Sequence, residues 1–219
     1  GEVTRRVTRH YREYAFRHAY RELFDFCNDT LSAVYLAATK DRLYCDTTDD
    51  DRRRRAQSVL HLTADHLIRL LAPLLPHTTD EAWRSLHGEA AASVHLQPFP
   101  EPVEPAVDAR WDGLMRRRDD WLRLLEQARQ QQEIDNPLDC GMRVPIEAGD
   151  PPSGFALGDL ADLCGVSRFA FDDGIDRVLV DDLRRAARCD RCWKRDGSVK
   201  ARRDGGQLCD RCAAAVGVD

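Results

Sequence analysis

The sequence predicts a mainly α-helical protein, with an antiparallel helix bundle, a small α+β unit and a C-terminal unit built around four paired cysteines. Three observations predict this arrangement. Apolar residues recur every three or four positions through the first hundred residues, which is the period of a helix face. Four prolines fall within residues 98–105 and interrupt any helix or strand there. Two C-x-x-C pairs stand near the C-terminus.

The bundle is predicted from its apolar stripes. One stripe runs from Phe16 to Ala38 and predicts a long helix, and a second runs from Ala56 to Leu74. Thr78 and Glu81 have the spacing of a capping box, which predicts a short helix beginning there. Residues 93–96 are expected to be extended.

The second half of the chain predicts a mixed unit. Asp108 can cap a helix that runs to about residue 132. Strands are predicted at 142–146, 168–171 and 177–180, with a helix at 157–164. We therefore divide the chain into a helix bundle (1–98), a proline-rich linker (99–107), an α+β junction unit (108–182) and a four-cysteine zinc-binding domain (183–219).

The overall charge argues against binding nucleic acid through bulk charge. The 219 residues contain 33 Lys or Arg and 38 Asp or Glu, for a net charge of -5. No apolar run reaches the roughly 18 residues that a membrane span needs. The N-terminus lacks the apolar core of a signal peptide. We therefore expect a cytoplasmic protein without a membrane partner.

The paired cysteines predict a metal site. Cys189 and Cys192 form one C-x-x-C pair, Cys209 and Cys212 form another, and 16 residues separate the pairs. Two such turns supply four thiolates in tetrahedral arrangement, which predicts one structural Zn²⁺ with no open coordination position. Two disulfides or an iron–sulfur centre are the alternatives. Because this segment has few large apolar residues, we expect zinc to drive its folding.

The net charge of the segment around the paired cysteines is opposite in sign to the net charge of the whole chain. Residues 184–212 contain ten Lys or Arg and four Asp, a net of +6, whereas the rest of the chain has 23 basic and 34 acidic residues, a net of -11. Phosphate backbones are the expected partner of such a basic module. Trp193 either stacks on an unpaired base or packs over the cysteine turn as a miniature core.

Several motifs resemble the isoleucyl-tRNA synthetase family. The runs DFCNDTLSAVYL (25–36), KDRLY (40–44) and LLAPLLPHTTDEAW (70–83) resemble the anticodon-binding helix bundle of that family. CDRCW (189–193) and LCDRC (208–212) look like the C-terminal zinc finger of its bacterial members. The resemblance covers nearly the whole chain and implies an anticodon-binding bundle of the class I synthetase type with a four-cysteine zinc finger.

The resemblance implies recognition of the anticodon stem-loop of tRNA(Ile). The family's members attach isoleucine to tRNA(Ile) using ATP, but their His-Ile-Gly-His-type and Lys-Met-Ser-Lys-Ser-type signatures do not occur here. We therefore assign no catalytic residue and expect ATP to bind only in a separate catalytic domain, which would be the other partner of this chain. Alone, the chain is expected to be an inactive monomer.

The candidate RNA contacts are cationic or aromatic residues near the zinc site and at the end of the long helix. The arginine runs at 52–55 and 116–118 are either RNA contacts or solvated helix surfaces. The alternative function is a protein-interaction module that binds no RNA. The candidate tRNA-binding residues are Arg188, Arg191, Trp193, Lys194, Arg195, Lys40 and Arg42.

Overall fold

The protein is described by a computed structural model that covers residues 1–104, 108–146, 155–203 and 206–218. Its contacts divide the chain into two compact units. The first combines Gly1–Tyr35 with Arg54–Ala106, and the second combines Leu36–Arg53 with Val107–Asp219. The four-part division expected from the sequence stays a prediction. The structure adds that residues 36–53 pack with the C-terminal half.

The predicted mainly helical class is confirmed, and small sheets accompany the helices. In chain order the helices of the described residues are α1 (Glu2–Arg12), α2 (Phe16–Asp25), α3 (Ala37–Cys45), α4 (Asp51–Leu71), α5 (Pro76–His87), α6 (Arg110–Gln132), α7 (Leu157–Cys164) and α8 (Asp210–Val216). The strands are β1 (Cys140–Pro145), β2 (Arg168–Asp172), β3 (Leu179–Asp182), β4 (Lys200–Ala201) and β5 (Gln207–Leu208). No helix in these described ranges is both long and apolar enough to cross a bilayer.

The core of the first unit lies between α1, α2 and α4. Val7, Ala19, Leu23 and Leu70 form one fully buried cluster. The three helices bring these residues together because each contributes one apolar face. The single stripe expected from Phe16 to Ala38 is wrong beyond α2, because Phe26–Leu36 is wound as a π-helix. Bonds from i to i+5 shift the side chains off the 3.6-residue stripe, and none of these eleven residues is buried.

The expected start of α5 is also corrected. The helix begins at Pro76, two residues before the predicted capping box, and Thr79 Oγ1 donates a hydrogen bond to Leu75 O at 2.8 Å. Proline starts the helix early because its φ is already helical and its missing N–H needs no partner in the first turn. Residues 93–96 are not extended either, since Val94–Leu96 forms one 3₁₀ turn.

Asp80 joins α5 to that turn. Its carboxylate accepts hydrogen bonds from Ser93 Oγ at 2.6 Å, Val94 N at 3.0 Å and Arg84 Nε at 3.0 Å. The hydrogen bond from Ser93, followed by that from Arg84, lowers the pKa of Asp80 to about 2. The ionised carboxylate therefore stabilises the fold.

The second unit contains a three-stranded sheet in the order β2-β1-β3. β1 pairs with β2 in parallel and with β3 in antiparallel orientation. Trp121 of α6 packs on Phe169 of β2, with ring centroids 5.2 Å apart. The predicted helices that end near residue 132 and span 157–164 are found as α6 and α7, but the N-cap of α6 is Ala109 and not the predicted Asp108. β3 lies two residues later than predicted, because Leu179–Asp182 is the stretch that pairs with Cys140–Arg143.

Asp80→Asn is expected to destabilise the protein at neutral pH and to lose this effect in acid. The folded pKa of about 2 lies below the ordinary 3.8, so the stabilisation is complete above the ordinary pKa and disappears as the pH falls through the lowered one. Urea unfolding followed by circular dichroism at a series of pH values measures the difference from wild type. The exposed Glu89→Gln is the control, and a difference that persists undiminished near pH 2 would contradict the assignment.

Candidate metal centre and its supports

The four paired cysteines converge in the second unit. Their Sγ atoms all lie within 4.8 Å of one another, and Cys192 Sγ is 3.8 Å from Cys209 Sγ. Cys189, Cys209 and Cys212 are fully buried, while Cys192 is partly buried. Sequence reasoning therefore chose four residues that the fold brings together.

Local backbone structure explains the convergence. Cys189 N donates to Lys194 O and Trp193 N donates to Cys189 O, both at 2.9 Å, which closes the first cysteine turn. β4 and β5 pair antiparallel in the stretch between the two cysteine pairs. Cys209 is the N-cap of α8, so Cys212 lies in the first turn of that helix.

The donor set fits a tetrahedral metal ion. Bonds of about 2.3 Å from a metal to four sulfurs imply sulfur–sulfur distances of about 3.8 Å, which agrees with the Cys192–Cys209 separation. Hydrogen bonds with Cys192 and then Cys209 lower the pKa of Cys212, whereas hydrogen bonds with Cys192 and Cys212 raise the pKa of Cys209. A cluster that could bind a metal ion is therefore present.

Two arginines next to the cysteines bind the end of α3. Arg191 Nη2 donates to Tyr44 O at 2.8 Å, and Arg191 Nη1 lies 3.6 Å from Cys212 Sγ. Arg211 donates to Asp41 Oδ1 and to Asp46 Oδ1, each at 2.9 Å. The turn that holds the cysteines is therefore fixed to the residues that follow Lys40.

Asp162 of α7 is the centre of a buried ion-pair network. Its side chain is 3% exposed. It accepts hydrogen bonds from Arg42 at 3.3 Å, from Arg52 at 3.1 Å and from Lys194. Burial alone lowers the pKa of Lys194, but the charges of Asp162 and then Asp41 outweigh it and raise that pKa. The carboxylate of Asp162 thus joins its own helix, α7, to three other stretches of the chain.

The predicted RNA contacts fall into two groups. Arg42, Arg191, Lys194 and Arg195 are engaged inside the unit, the last through Nε to Asp139 Oδ1 at 2.7 Å. Their RNA roles stay predictions. A phosphate that bound any of these cations would have to compete with the partners just named. The exposed residues of the predicted set are Lys40, Arg188 and Trp193.

Trp193 and Lys40 lie around one cavity. It has a volume of about 350 Å³ and is also lined by Ala37, Tyr44 and Val166. Trp193 is 56% exposed and Tyr44 is 72% exposed. Arg188 Cζ lies 5.9 Å from the centroid of the Trp193 ring.

Sequence reasoning did not select Tyr44, Asp41 or Asp162. Asp41 and Tyr44 stand in the run KDRLY (40–44), which does not indicate their contacts. For Asp162 the signal was its spacing from Asp159 on a short apolar helix, which also fits an exposed acidic face. Long-range pairing with Arg42 and Lys194 cannot be deduced from that spacing.

The fold and the site define a helical protein with an attached four-cysteine module and an aromatic cavity beside it. Residues 1–144 match the family described as the anticodon-binding domain of tRNA ligase. The chain belongs to this family.

Several longer proteins that this chain is similar to are isoleucine–tRNA ligases. The isoleucine–tRNA ligase of Brachyspira hyodysenteriae is 35% identical over 219 residues, which cover 93% of this chain and 24% of that protein. The isoleucine–tRNA ligase of Geobacillus kaustophilus is 36% identical over 237 residues, which cover 99% of this chain and 25% of that protein. The isoleucine–tRNA ligase of Desulforudis audaxviator is 43% identical over 144 residues, which cover 63% of this chain and 16% of that protein. The chain thus spans about a quarter of the length of the first two relatives.

Asp162→Ala is expected to destabilise the second unit by at most about 3–5 kcal/mol, because it removes the more buried of the two carboxylates that pair with Arg42 and with Lys194, which keep Asp159 and Asp41 respectively. Urea unfolding measures this loss. Asp120→Ala, which removes an exposed partner of Arg123, is the control and should cost at most about 1 kcal/mol. Equal effects of the two substitutions would show that the network is not a support of the fold.

Proposed function

We propose that this chain recognises the anticodon end of tRNA(Ile) as part of an isoleucine–tRNA ligase. The observation that carries the proposal is the cavity between Trp193, Tyr44 and Lys40 in a chain of the anticodon-binding family. It combines two aromatic rings with a cation, which is the chemistry that receives an unstacked base and its phosphate.

The size and surroundings of the cavity support a nucleotide-sized occupant. Its volume of about 350 Å³ falls in the range of about 300–1,000 Å³ that is usual for small-ligand sites. The exposed cations Lys40, Arg185, Arg188 and Arg203 would attract the phosphate backbone. Binding should therefore weaken steeply with salt.

We further propose that Cys189, Cys192, Cys209 and Cys212 hold one structural Zn²⁺. Four thiolates leave no open position, so the metal would supply folding energy rather than chemistry. Through Arg191 and Arg211 this module also fixes the end of α3, and hence the position of Lys40 and Tyr44. Zinc would thus act on RNA binding by positioning residues that are not its ligands.

The remaining functional expectations concern a longer protein. Isoleucine activation with ATP would take place in a separate catalytic domain, to which this chain would be attached. We also propose that the helices form an antiparallel bundle, that the chain has the four parts expected from the sequence, and that it is monomeric. A protein-docking module without RNA affinity is the competing function, and a titration with tRNA(Ile) and a non-cognate tRNA at low salt separates the two.

Elemental analysis is expected to find one zinc and no iron per chain. Cys209→Ser should lower the zinc content and increase hydrogen exchange in residues 189–216, because a ligand is lost. Cys27→Ser is the control, since Cys27 lies outside the cluster. A metal-free protein whose C-terminal segment remains protected from exchange would refute the zinc assignment.

Trp193→Gly is expected to lower the affinity for tRNA(Ile) and leave zinc bound. The φ of Trp193 is +66°, a conformation that glycine adopts without strain, so the cysteine turn should survive the change. Removing one base–aromatic stack should weaken binding by about 1–3 kcal/mol, measurable by fluorescence anisotropy. Trp111→Ala, at another exposed tryptophan, is the control. Unchanged affinity in Trp193→Gly would assign Trp193 a packing role only.

A further inference from the structure

The two cysteine turns have the same sequence, and the arginine of each turn binds the end of α3. The tetrapeptide CDRC stands at 189–192 and again at 209–212. Arg191 of the first turn donates to two main-chain carbonyl oxygens of α3. Arg211 of the second turn donates to two carboxylates. Equivalent positions in the two turns therefore bind one segment through different kinds of acceptor.

Among the described residues, the one partner of Arg191 that can carry a negative charge is a cysteine sulfur. Arg191 is partly buried, and it donates to Tyr44 O at 2.8 Å and to Cys45 O. Its Nη1 also lies 3.6 Å from Cys212 Sγ, within hydrogen-bonding distance of a sulfur acceptor. The carbonyl oxygens supply dipoles only. The charge that balances Arg191 therefore has to come from the four-cysteine cluster.

The contact between Arg191 and the sulfur lies where solvent screens it little. Cys45 at the end of α3 is buried, and it packs in one cluster with Cys189, Cys209 and Cys212. Charges attract each other more strongly away from water, and a cation without a partner in such surroundings costs free energy. The position of Arg191 is therefore favourable when the cluster is negatively charged.

The chemical state of the cysteines decides whether Arg191 has this partner. Four thiolates around a divalent ion carry two negative charges in total, whereas two disulfides carry none. Hydrogen bonds to the side chains that bind a metal also fix the orientation of those side chains. Arg191 therefore matches a charged metal centre, and two disulfides would leave its guanidinium without a partner of opposite charge.

We propose that Arg191 strengthens zinc binding through its hydrogen bond to Cys212 Sγ and couples the metal site to the end of α3. This inference rests on the proposed zinc site and goes beyond it, because it gives a role in metal retention to a residue that is not a ligand. Coupling between two binding events is reciprocal. The end of α3 is therefore held more firmly when zinc is bound, and its contact with Arg191 slows the loss of zinc.

The first test measures zinc affinity in the full chain by competition with a chromophoric chelator. Arg191→Gln removes the charge, and Arg191→Lys keeps it. Arg188→Gln removes one charge at an exposed position of the same module and is the matched control. Because partners of metal-binding side chains contribute roughly 10–100-fold to metal affinity, Arg191→Gln should bind zinc about tenfold or more weakly. Arg191→Lys should recover part of this loss, and Arg188→Gln should equal wild type.

A second measurement distinguishes a bond to sulfur from general support of the fold. Co²⁺ can take the place of Zn²⁺ in such a site, and thiolates bound to Co²⁺ give a sulfur-to-metal charge-transfer absorption. Loss of a hydrogen bond makes a sulfur a better electron donor, so this absorption should move to longer wavelength in Arg191→Gln. Arg211→Gln, which removes bonds to carboxylates on α3, should leave it in place. If Arg191→Gln binds no Co²⁺, Arg191→Lys gives the same comparison with a smaller shift.

Hydrogen exchange at the end of α3 tests the coupling. Asp46 N donates to Arg42 O at 3.3 Å and closes the last turn of this helix. Removal of zinc should speed exchange at residues 44–46 in wild type, and it should do so by a smaller factor in Arg191→Gln, in which the connection to Cys212 is already lost.

The outcomes separate this inference from the zinc assignment on which it rests. A wild-type chain that binds no zinc would overturn both. Equal zinc affinity in wild type and Arg191→Gln, or an unshifted Co²⁺ absorption in that variant, would overturn the role of Arg191 alone. An equal loss of zinc affinity in Arg188→Gln would also overturn it, because the effect would then reduce to overall charge.

Discussion

The buried carboxylate of Asp162 is the interaction on which the second unit depends. It receives Arg42 from α3, Arg52 from the start of α4 and Lys194 from the cysteine turn. The attraction offsets the cost of burying these charges only while all partners are present. The network therefore joins the cysteine turn to α3, and the cavity between Trp193 and Lys40 is lined by residues of both segments and by Asp162 itself.

Local sequence signals predicted those parts of the molecule that local forces determine. α7 was predicted with its observed ends, 157 and 164, and the four cysteines were predicted because their spacing reflects metal geometry. The π-helical stretch at 26–36 was missed, because the apolar pattern assumes the 3.6-residue period of an α-helix. The early start of α5 was missed, because the capping-box pattern at Thr78 takes no account of Pro76. The Asp162 network was missed because Arg42 and Arg52 are more than a hundred residues from Asp162 and Lys194 is 32 residues from it.

Two aromatic residues occupy left-handed backbone positions that suit glycine. Tyr14 ends α1 and Trp193 follows the second cysteine of its turn, with φ values of +54° and +66°. A side chain at such a position costs stability, and both rings are more than half exposed, so neither recovers that cost by burial. The contacts of these rings are an edge contact of Tyr14 with Phe16, with centroids 6.2 Å apart, and the placement of Arg188 Cζ 5.9 Å from the centroid of Trp193. Glu133 is also left-handed and exposed, so the aromatic ring is what distinguishes these two positions from it.

Charge counted along the sequence overstates how basic the cysteine module is at its surface. Residues 184–212 have a net charge of +6, but Arg191, Lys194 and Arg195 make contacts within the second unit. The ion pairs of Lys194 and Arg195 neutralise part of this positive charge, because a cation bonded to a carboxylate attracts a phosphate only weakly. The cysteine module therefore has a less positive surface than its sequence charge implies, and any binding of RNA there would depend on the Trp193 ring as well as on charge.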